Sequence, residues 1–188
     1  MNCGFYSKDE LEGLPFGSLG HNVQISRSAN FYGMERMDIG DNVRIDDFSL
    51  ISGRVTIGSY VHVASYVGLH GRFGITLDDF SGVSSKSTLF SGSDDYSGFH
   101  LTNPTVPEEY TSIDGRPIIL KRHALLGANT IVLPGVTVGE GAATGAFSLV
   151  SRDLEPWTIY GGVPCKPIKA RSKKLLDLEK LLNGRTQL

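Results

Sequence analysis

Aliphatic residues recur every six positions along most of this 188-residue chain. A period of six is neither the 3.6-residue period of a helix nor the two-residue period of a strand. It predicts hexapeptide repeats that coil into a parallel β-helix, with three hexapeptides in each coil. The predicted inward positions, which include two steps of eight residues and one long break, are Leu19, Ile25, Phe31, Ile39, Ile45, Ile51, Ile57, Val63, Leu69, Leu77, Val83, Leu89, Leu120, Leu126, Val132, Val138, Thr144 and Val150.

The residue two places before most of these positions is small or β-branched, as at Val43, Ser49 and Ala124. Such a residue leaves room for the chain to turn a corner, and turn-forming residues cluster nearby, as in 40–42 and 134–135. Each aliphatic side chain buried in the resulting prism contributes roughly 1.5–3 kcal/mol. A single all-β domain built from stacked coils therefore accounts for most of the chain.

The composition excludes several classes of function. The formal net charge is −2 and the pI is about 6.2, so we expect no nucleic-acid partner. Cys3 and Cys165 lack the spacing of metal ligands and suit a reduced compartment. The sequence shows neither an apolar stretch of about eighteen residues nor a signal peptide. We therefore expect a soluble cytoplasmic protein that does not insert into membranes.

The periodicity divides the chain into three parts. Residues 1–18 form an N-terminal segment, residues 19–155 the β-helix, and residues 156–188 a C-terminal extension. Within the β-helix, residues 90–117 break the register and are too long for an ordinary connection. The aromatic residues and three prolines of this loop argue against disorder. We therefore expect a protruding, functional loop.

Two helices are predicted outside the repeat. Ser7 and Glu10 have the spacing of a capping box, which would open a short helix that ends near Gly13. After an irregular stretch over 156–167, Ser172 would begin a second helix, with Gly184 as its C-cap. Its leucines are expected to pack against the end of the coil or against a neighbouring subunit.

Two stretches of sequence carry a resemblance to a known family. Residues 131–153 read Ile-Val-Leu-Pro-Gly-Val-Thr-Val-Gly-Glu-Gly-Ala-Ala-Thr-Gly-Ala-Phe-Ser-Leu-Val-Ser-Arg-Asp, and residues 161–169 read Gly-Gly-Val-Pro-Cys-Lys-Pro-Ile-Lys. Together they resemble the hexapeptide-repeat acyltransferases, in particular the galactoside, maltose and surface-polysaccharide acetyltransferases. The resemblance covers residues 19–170. It implies a left-handed β-helix, a homotrimer, and acetyl-coenzyme A bound between adjacent prisms with a sugar acceptor near the extended loop.

The resemblance also implies which residues contact coenzyme A. Ala128 and the Gly145-Ala146 pair match positions where a larger side chain would block the pantetheine arm. Ser151 and Arg152 stand where the family has Thr-Lys. The basic residues of the family's C-terminal motif become Lys166 and Lys169, which would meet the nucleotide phosphates through charge-assisted contacts. We expect no metal ion, because the five histidines show no ligand-like spacing.

The first part of the loop, where the acceptor is expected to bind, departs from the family's pattern. Related polysaccharide acetyltransferases often read Ser-His-Asp-Tyr early in the loop, and the histidine is the general base. Here residues 93–96 read Ser-Asp-Asp-Tyr, so Asp94 replaces the histidine. An aspartate with an ordinary pKa is a poor base for a sugar hydroxyl. Either His70 or His100 supplies the base instead, since His62 and His123 occupy outward positions of the coil, or the acceptor needs no strong base.

An amino-sugar acceptor would fit the second explanation. Its amine has a pKa near 8, so a useful fraction is already a free nucleophile at neutral pH. Asp94 or Asp95 would attract and orient the amine and accept its proton as the tetrahedral intermediate collapses, and Tyr96 would contact the sugar. Alternatively, residues 91–95 are a polar turn in which the aspartates cap backbone amides.

The sequence therefore predicts an acetyl-coenzyme A-dependent sugar acetyltransferase. The favoured acceptor is a nucleotide-linked amino-deoxysugar destined for O-antigen or capsule. The first alternative is an O-acetyltransferase that acts on a sugar hydroxyl. The second, from a different class, is a non-catalytic β-helix that serves as a binding or assembly module.

Overall fold

A computed structural model describes residues 4–185 of the chain, with the backbone alone for Arg185. These residues form twenty strands and two α-helices. The elements are α1 (Lys8–Glu12), β1 (Ser18–Leu19), β2 (Gln24–Ile25), β3 (Asn30–Tyr32), β4 (Met37–Ile39), β5 (Arg44–Ile45), β6 (Leu50–Ile57), β7 (His62–Val63), β8 (Gly68–Leu77), β9 (Gly82–Val83), β10 (Thr88–Phe90), β11 (Gly92–Asp94), β12 (Ile113–Gly115), β13 (Ile118–Leu120), β14 (Leu125–Leu126), β15 (Ile131–Val132), β16 (Thr137–Val138), β17 (Ala143–Thr144), β18 (Leu149–Val150), β19 (Thr158–Gly161), β20 (Lys166–Ala170) and α2 (Leu175–Arg185).

The strands stack as three parallel faces of a prism. Face A contains β1, β4, the second halves of β6 and β8, β13 and β16. Face B contains β2, β5, β7, β9, β14, β17 and β19. Face C contains β3, the first halves of β6 and β8, β10, β15 and β18. This architecture is the predicted parallel β-helix.

The core follows the predicted register. In face C, Ile51 lies beside Leu69, Leu69 beside Leu89, and Leu89 beside Val132, each fully buried. Leu19 and Phe31 alone among the predicted inward residues are only partly buried, and they pack against the core from the first coil. The small residues two places earlier are also buried, so they complete the core at the corners.

Large side chains occupy strained backbone positions at the corners. Tyr60, Phe80 and His123 follow one another in the corner between faces A and B, each with a φ near +60°. That region of backbone conformation disfavours bulky residues. The rings stack, with centroids 4.7 Å apart for Tyr60 and Phe80 and 5.1 Å for Phe80 and His123. Stacking of this kind contributes about 0.5–1.5 kcal/mol per pair and offsets part of the strain.

The two terminal segments confirm some predictions and correct others. The capping box of α1 is present, since the Ser7 hydroxyl accepts from the Glu10 amide and the Glu10 carboxylate accepts from the Ser7 amide. The stretch predicted as irregular, 156–167, instead contains β19 and the start of β20, an antiparallel pair at the end of face B. Cys3 lies outside the described residues.

The predicted bounds of the second helix are wrong. Helix α2 begins at Leu175 rather than Ser172, and Gly184 lies inside it. The helix does not pack on the end of the coil. It runs along face B, where Glu179 bonds to Arg122 and His123. His123 occupies an outward position of the coil, as predicted, but helix α2 covers it, so the side chain is only 6% exposed. Within residues 4–185, no helix is long and apolar enough to span a membrane.

Candidate active site

The loop that interrupts the repeat is rooted where face C passes into face A. Strands β11 and β12 form an antiparallel pair at its base, with Ser93 opposite Asp114. The ring of Phe73 lies against this pair. A Cβ added at Gly92 or Gly115 would stand 2.7 or 2.3 Å from that ring. Glycine at both positions therefore allows the hairpin to sit directly on Phe73.

Ser91 fixes the root of the loop. It is fully buried, and its hydroxyl donates to the His70 carbonyl at 2.7 Å and accepts from the Phe73 amide at 3.0 Å. Its carbonyl accepts from the Arg116 amide at 2.9 Å, so Ser91 also joins the two arms of the loop to each other. The loop is thereby held to the coil beneath it.

The loop lines an open cavity of about 440 Å³, which lies within the range of ligand sites. We call it the loop cavity. It presents three carboxylates, those of Asp94, Asp95 and Asp114. The other lining residues are Tyr96, Ser97, Phe99, His100, Ser112 and Ile113.

Two of the three carboxylates are already compensated. Arg116 donates to Asp114 through Nε and Nη2 at 2.9 and 2.7 Å, and these bonds lower the pKa of Asp114. Asp95 accepts from the Ser97 amide at 2.7 Å and from His100. Among residues 4–185, the structure gives the Asp94 carboxylate no hydrogen bond or ion pair. Asp94 is therefore the acceptor available to a cation in this cavity.

Asp95 and His100 form a pair inside the loop. The Asp95 Oδ2 atom lies 2.9 Å from His100 Nδ1 and accepts from the His100 amide at 3.1 Å. Hydrogen bonds from Ser97 and then from His100 hold the pKa of Asp95 far below its usual value. Asp95 thus caps local amides, as the polar-turn alternative expected, and it also orients an imidazole.

A second, smaller cavity shares Asp94. Its volume is about 230 Å³, and it is lined on the other side of Asp94 by Arg72 and Glu108, which form an ion pair at 3.1 Å. Tyr96, predicted to contact the acceptor, is 93% exposed at the loop cavity. The exposed surface of the loop therefore carries charged side chains beside the aromatic ring of Tyr96.

His70 lies outside both cavities. Its ring stacks on that of Phe90, with centroids 5.0 Å apart and planes 5° from parallel. Burial lowers its pKa. His70 thus sits at the foot of the loop, on the strand below Phe90, whereas His100 lines the loop cavity itself.

The alanines predicted to contact coenzyme A stack in one corner, between faces B and C. The Phe147 amide donates to the Ala128 carbonyl, and the Asn129 amide donates to the Ser85 carbonyl one coil below. Ala146, next to Phe147, therefore lies above Ala128. We call Ser85, Ala128 and Ala146 the small-residue column.

The predicted basic residues lie beyond the last coil. The turn between β19 and β20 covers the end of face C, because the Leu149 amide donates to the Gly162 carbonyl and the Cys165 amide to the Leu149 carbonyl. Lys166 and Lys169 follow on β20 and are exposed. Ser151 and Arg152 are exposed after β18. Burial raises the pKa of the Cys165 thiol, and the charge of Arg152 opposes that rise.

Sequence reasoning missed the residues that support the loop. Arg72 and Phe73 lie where β8 carries two more residues than β6, between the paired positions Gly53–Gly71 and Val55–Ile75. The signal was present, because the spacing from Leu69 to Leu77 is eight residues rather than six. A step longer than six residues in such a repeat marks a place where extra residues bulge from the outer surface of the coil.

Comparison with known proteins places this geometry in a family. The model of the bacterial transferase hexapeptide (six repeats) matches residues 37–71. A dTDP-4-amino-4,6-dideoxy-D-glucose acyltransferase from Escherichia coli is 44% identical over 173 residues, which are 90% of each protein. A putative colanic acid biosynthesis acetyltransferase, WcaF, from Escherichia coli K12 is 33% identical over 71% of this chain and 69% of that protein.

Solved structures of acyltransferases have the same fold as this chain. A point mutant of AntD, an N-acyltransferase from Bacillus cereus, superimposes with a TM-score of 0.96 at 44% identity, over 98% of this chain and all of AntD, in complex with dTDP and coenzyme A. The chain therefore belongs to the hexapeptide-repeat sugar acyltransferases and has their left-handed β-helix. It is an enzyme, so the interpretation as a non-catalytic module is wrong.

Proposed function

We propose that this protein transfers an acetyl group from acetyl-coenzyme A to the amino group of a dTDP-linked 4-amino-4,6-dideoxyhexose. The observation that carries the proposal is the unpaired carboxylate of Asp94 in the loop cavity. Arg116 bonds to Asp114 and His100 bonds to Asp95, whereas the Asp94 carboxylate has no hydrogen-bond or ion-pair partner among residues 4–185. An ammonium group matches that charge through a hydrogen bond stronger than a neutral one.

The chemistry favours an amine over a hydroxyl. An amine with a pKa near 8, like that of an α-amino group, is partly deprotonated at neutral pH, whereas a sugar hydroxyl is not. Asp94 would bind the ammonium form of the acceptor as it enters the site. After the ammonium group has lost its proton, Asp94 would keep the amine nitrogen near the thioester. Positioning of this kind contributes a large part of the rate when two substrates must meet.

The relatives support the same acceptor. The Escherichia coli relative is a dTDP-4-amino-4,6-dideoxy-D-glucose acyltransferase, and an AntD structure contains dTDP-4-amino-4,6-dideoxyglucose with coenzyme A. AntD structures include variants at a serine numbered 84 and an aspartate numbered 94, and this chain carries Ser84 and Asp94 at those numbers. Ser84 precedes Ser85 of the small-residue column. We propose that the product enters a surface polysaccharide, as the colanic acid relative suggests.

The donor is proposed to lie along the small-residue column. Ala128 and Ala146 leave space for the pantetheine arm, and Ser151 and Arg152 follow on the adjoining coil. Lys166 and Lys169 would meet the phosphates of the donor beyond the last coil. AntD has been solved with 3-hydroxybutyryl-CoA, which makes that thioester the natural comparison for acetyl-coenzyme A.

We also propose a homotrimer that works in the cytoplasm. The corner that holds the small-residue column exposes apolar side chains, with Phe48 and Tyr66 each 54% exposed and Phe147 69% exposed. Apolar stripes of this kind mark interaction surfaces. Light scattering after size-exclusion chromatography should give three times the 20.3 kDa chain mass, and a monomer at micromolar concentration would refute the trimer. The cytoplasm is where acyl-coenzyme A and nucleotide sugars are available together.

The experiment compares an amino acceptor with a hydroxyl acceptor and tests the Asp94 carboxylate by substitution. Purified enzyme is given acetyl-coenzyme A with dTDP-4-amino-4,6-dideoxyglucose or with its 4-hydroxy counterpart, and free thiol is followed. We expect turnover with the amine, and a loss of about 100-fold in kcat/KM for Asp94→Asn. Glu109→Gln, an exposed carboxylate of the same loop outside both cavities, is the matched control. Turnover with the hydroxyl acceptor alone would refute the proposal and favour O-acetylation.

A further inference from the structure

The smaller of the two cavities at the loop is lined by charges of opposite sign. Asp94 lines it together with Arg72, which forms an ion pair with Glu108. Within residues 4–185, Arg72 is the one arginine or lysine that lines either cavity. A ligand in the smaller cavity would therefore meet a free carboxylate and a guanidinium together.

The fold holds Arg72 at the foot of the loop. It lies where β8 carries two more residues than β6, on the coil that supports the hairpin. Its guanidinium lies 5.5 Å from the centre of the Phe73 ring, and that ring packs against Gly92 and Gly115 of the hairpin. A guanidinium over an aromatic face is oriented in advance, and its planar donors match two phosphate oxygens at once.

Glu108 is a weak partner for this guanidinium. Their charged atoms are 3.1 Å apart, but the Glu108 side chain is 89% exposed and that of Arg72 is 58% exposed. Exposed ion pairs contribute little to stability because water screens them. A diphosphate carries more charge than one carboxylate and accepts two parallel hydrogen bonds from a single guanidinium. We therefore expect a diphosphate to displace Glu108 from Arg72.

The smaller cavity also offers a neutral donor. The Asn103 Oδ1 atom accepts from the Thr105 amide at 3.0 Å and from the Thr105 hydroxyl at 2.6 Å. These two bonds fix the orientation of the Asn103 amide, and its Nδ2 donors have no partner within the described part of the chain. Asn103 lines the cavity and is therefore placed to donate to a sugar hydroxyl or to a phosphate oxygen.

We propose that Arg72 binds the diphosphate of the acceptor while Asp94 binds its ammonium group, so that the smaller cavity holds the sugar ring between them. The inference rests on the proposed acceptor and assigns the residue that recognises its nucleotide. The amine and the diphosphate of a dTDP-linked 4-amino sugar stand at opposite ends of the pyranose ring. A cavity of about 230 Å³ is of the size that one such ring requires.

The first test measures the binding of dTDP by calorimetry, which needs no acyl transfer. Arg72→Met should raise the Kd of dTDP by about tenfold or more, and Arg72→Lys should fall between that variant and the wild type because it keeps only the charge. Arg54→Met is the matched control. Arg54 is an exposed arginine of β6, one coil below, that lines neither cavity, so the Kd should stay within about twofold.

Glu108→Gln distinguishes phosphate binding from support of the loop. If Arg72 serves the ligand, removing the competing carboxylate should leave the Kd of dTDP equal or lower. If the ion pair only supports the loop, Glu108→Gln should weaken binding as much as Arg72→Met does.

The second test uses steady-state kinetics with acetyl-coenzyme A. Arg72→Met should raise KM for dTDP-4-amino-4,6-dideoxyglucose by about tenfold or more and leave kcat and KM for acetyl-coenzyme A within about threefold. The methyl glycoside of the same amino sugar has no phosphate, so the wild type and Arg72→Met should acylate it at equal, low efficiency.

The outcomes separate this inference from the proposed function. An unchanged Kd of dTDP in Arg72→Met would refute the inference, and so would equal losses in Arg72→Met and Glu108→Gln. If the wild type binds dTDP through Arg72 but acylates only hydroxyl acceptors, the proposed N-acylation fails and the phosphate contact stands. If the wild type does not bind dTDP, the proposed acceptor is wrong and this inference falls with it.

Discussion

Single residues at the inner corners of the prism show how a buried hydroxyl either stabilises or weakens the coil. Ser87 donates to the Gly127 carbonyl at 3.0 Å and accepts from the Thr130 amide at 3.2 Å. Ser81 is buried to the same degree, but its hydroxyl has no hydrogen-bond partner among residues 4–185. A buried polar group without a partner costs about 1–3 kcal/mol.

These two serines give a matched pair of predictions. Ser81→Ala should raise the free energy of unfolding by up to about 1 kcal/mol, because it removes an unsatisfied hydroxyl. Ser87→Ala should lower it by about 1–3 kcal/mol, because it leaves the buried Thr130 amide without its partner, although the Gly127 carbonyl still accepts from the Thr130 hydroxyl. Chemical denaturation of the two variants measures both. A loss of stability in Ser81→Ala equal to that in Ser87→Ala would contradict this interpretation.

The small-residue column leads to a prediction on donor binding. Ala146→Leu would fill the space proposed for the pantetheine arm, so KM for acetyl-coenzyme A should rise by about tenfold or more. Ala146→Ser adds one small atom and should stay within about threefold of the wild type. Because Ala146 is exposed, both variants should melt at nearly the wild-type temperature. Equal KM values for the two variants would argue that the donor binds elsewhere.

At the scale of elements, helix α2 is held to the prism by charge as well as by apolar packing. Glu179 bonds to Arg122 and to His123, and Arg122 also bonds to Asp79. The Arg171 guanidinium just before the helix donates to the His123 carbonyl at 2.8 Å. The bond from Arg122, followed by that from His123, holds the pKa of Glu179 below its usual value. The helix is therefore expected to dock in a pH-dependent manner.

The sign of that dependence can be tested. Since folding lowers the pKa of Glu179, its contribution to stability is present above the unfolded pKa of about 4.3 and disappears as the pH falls. Glu179→Gln should therefore melt below the wild type at neutral pH, and the difference should shrink as the pH drops below about 4. Thermal melts at several pH values provide the measurement. A difference that does not change with pH would indicate a packing defect instead.

The hairpin at the base of the loop provides a second prediction at this scale. Gly115→Ala would place a Cβ about 2.3 Å from the Phe73 ring, so the hairpin or the ring must shift. We expect a loss of about 1–3 kcal/mol in stability and a lower kcat/KM for the acceptor. Gly184→Ala, in open space on helix α2, should instead gain up to about 1 kcal/mol. Unchanged kinetics in Gly115→Ala would mean that the hairpin does not position the loop cavity.

The sequence predicted some elements well and others poorly, for physical reasons. The inward residues were predictable because each coil repeats one steric requirement, as Leu69 and Leu89 illustrate. The aromatic corners were not, since Tyr60 and Phe80 occupy a backbone region usually given to glycine or asparagine. The bounds of α2 and the burial of His123 depend on long-range contacts with Glu179. A pattern of local periodicity does not contain such contacts.

For the whole molecule, the β-helix is a rigid support and the loop carries the chemistry. The motif of residues 93–96 drew attention to Asp94, but its unpaired state became visible only beside the pairs Asp114–Arg116 and Asp95–His100. No local pattern linked Asp95 to His100, five residues further along. The residue types of the site were thus predictable, whereas the division of roles among the carboxylates required the fold.

The most direct test of the central claim is the position of the new acyl group on an acceptor that offers both nucleophiles. The enzyme is incubated with acetyl-coenzyme A and dTDP-4-amino-4,6-dideoxyglucose labelled with ¹⁵N at the amine, and the product is examined by NMR. We expect an amide proton coupled to the labelled nitrogen and no acetyl ester on the sugar hydroxyls. An ester at a ring hydroxyl with the amine left free would contradict the account.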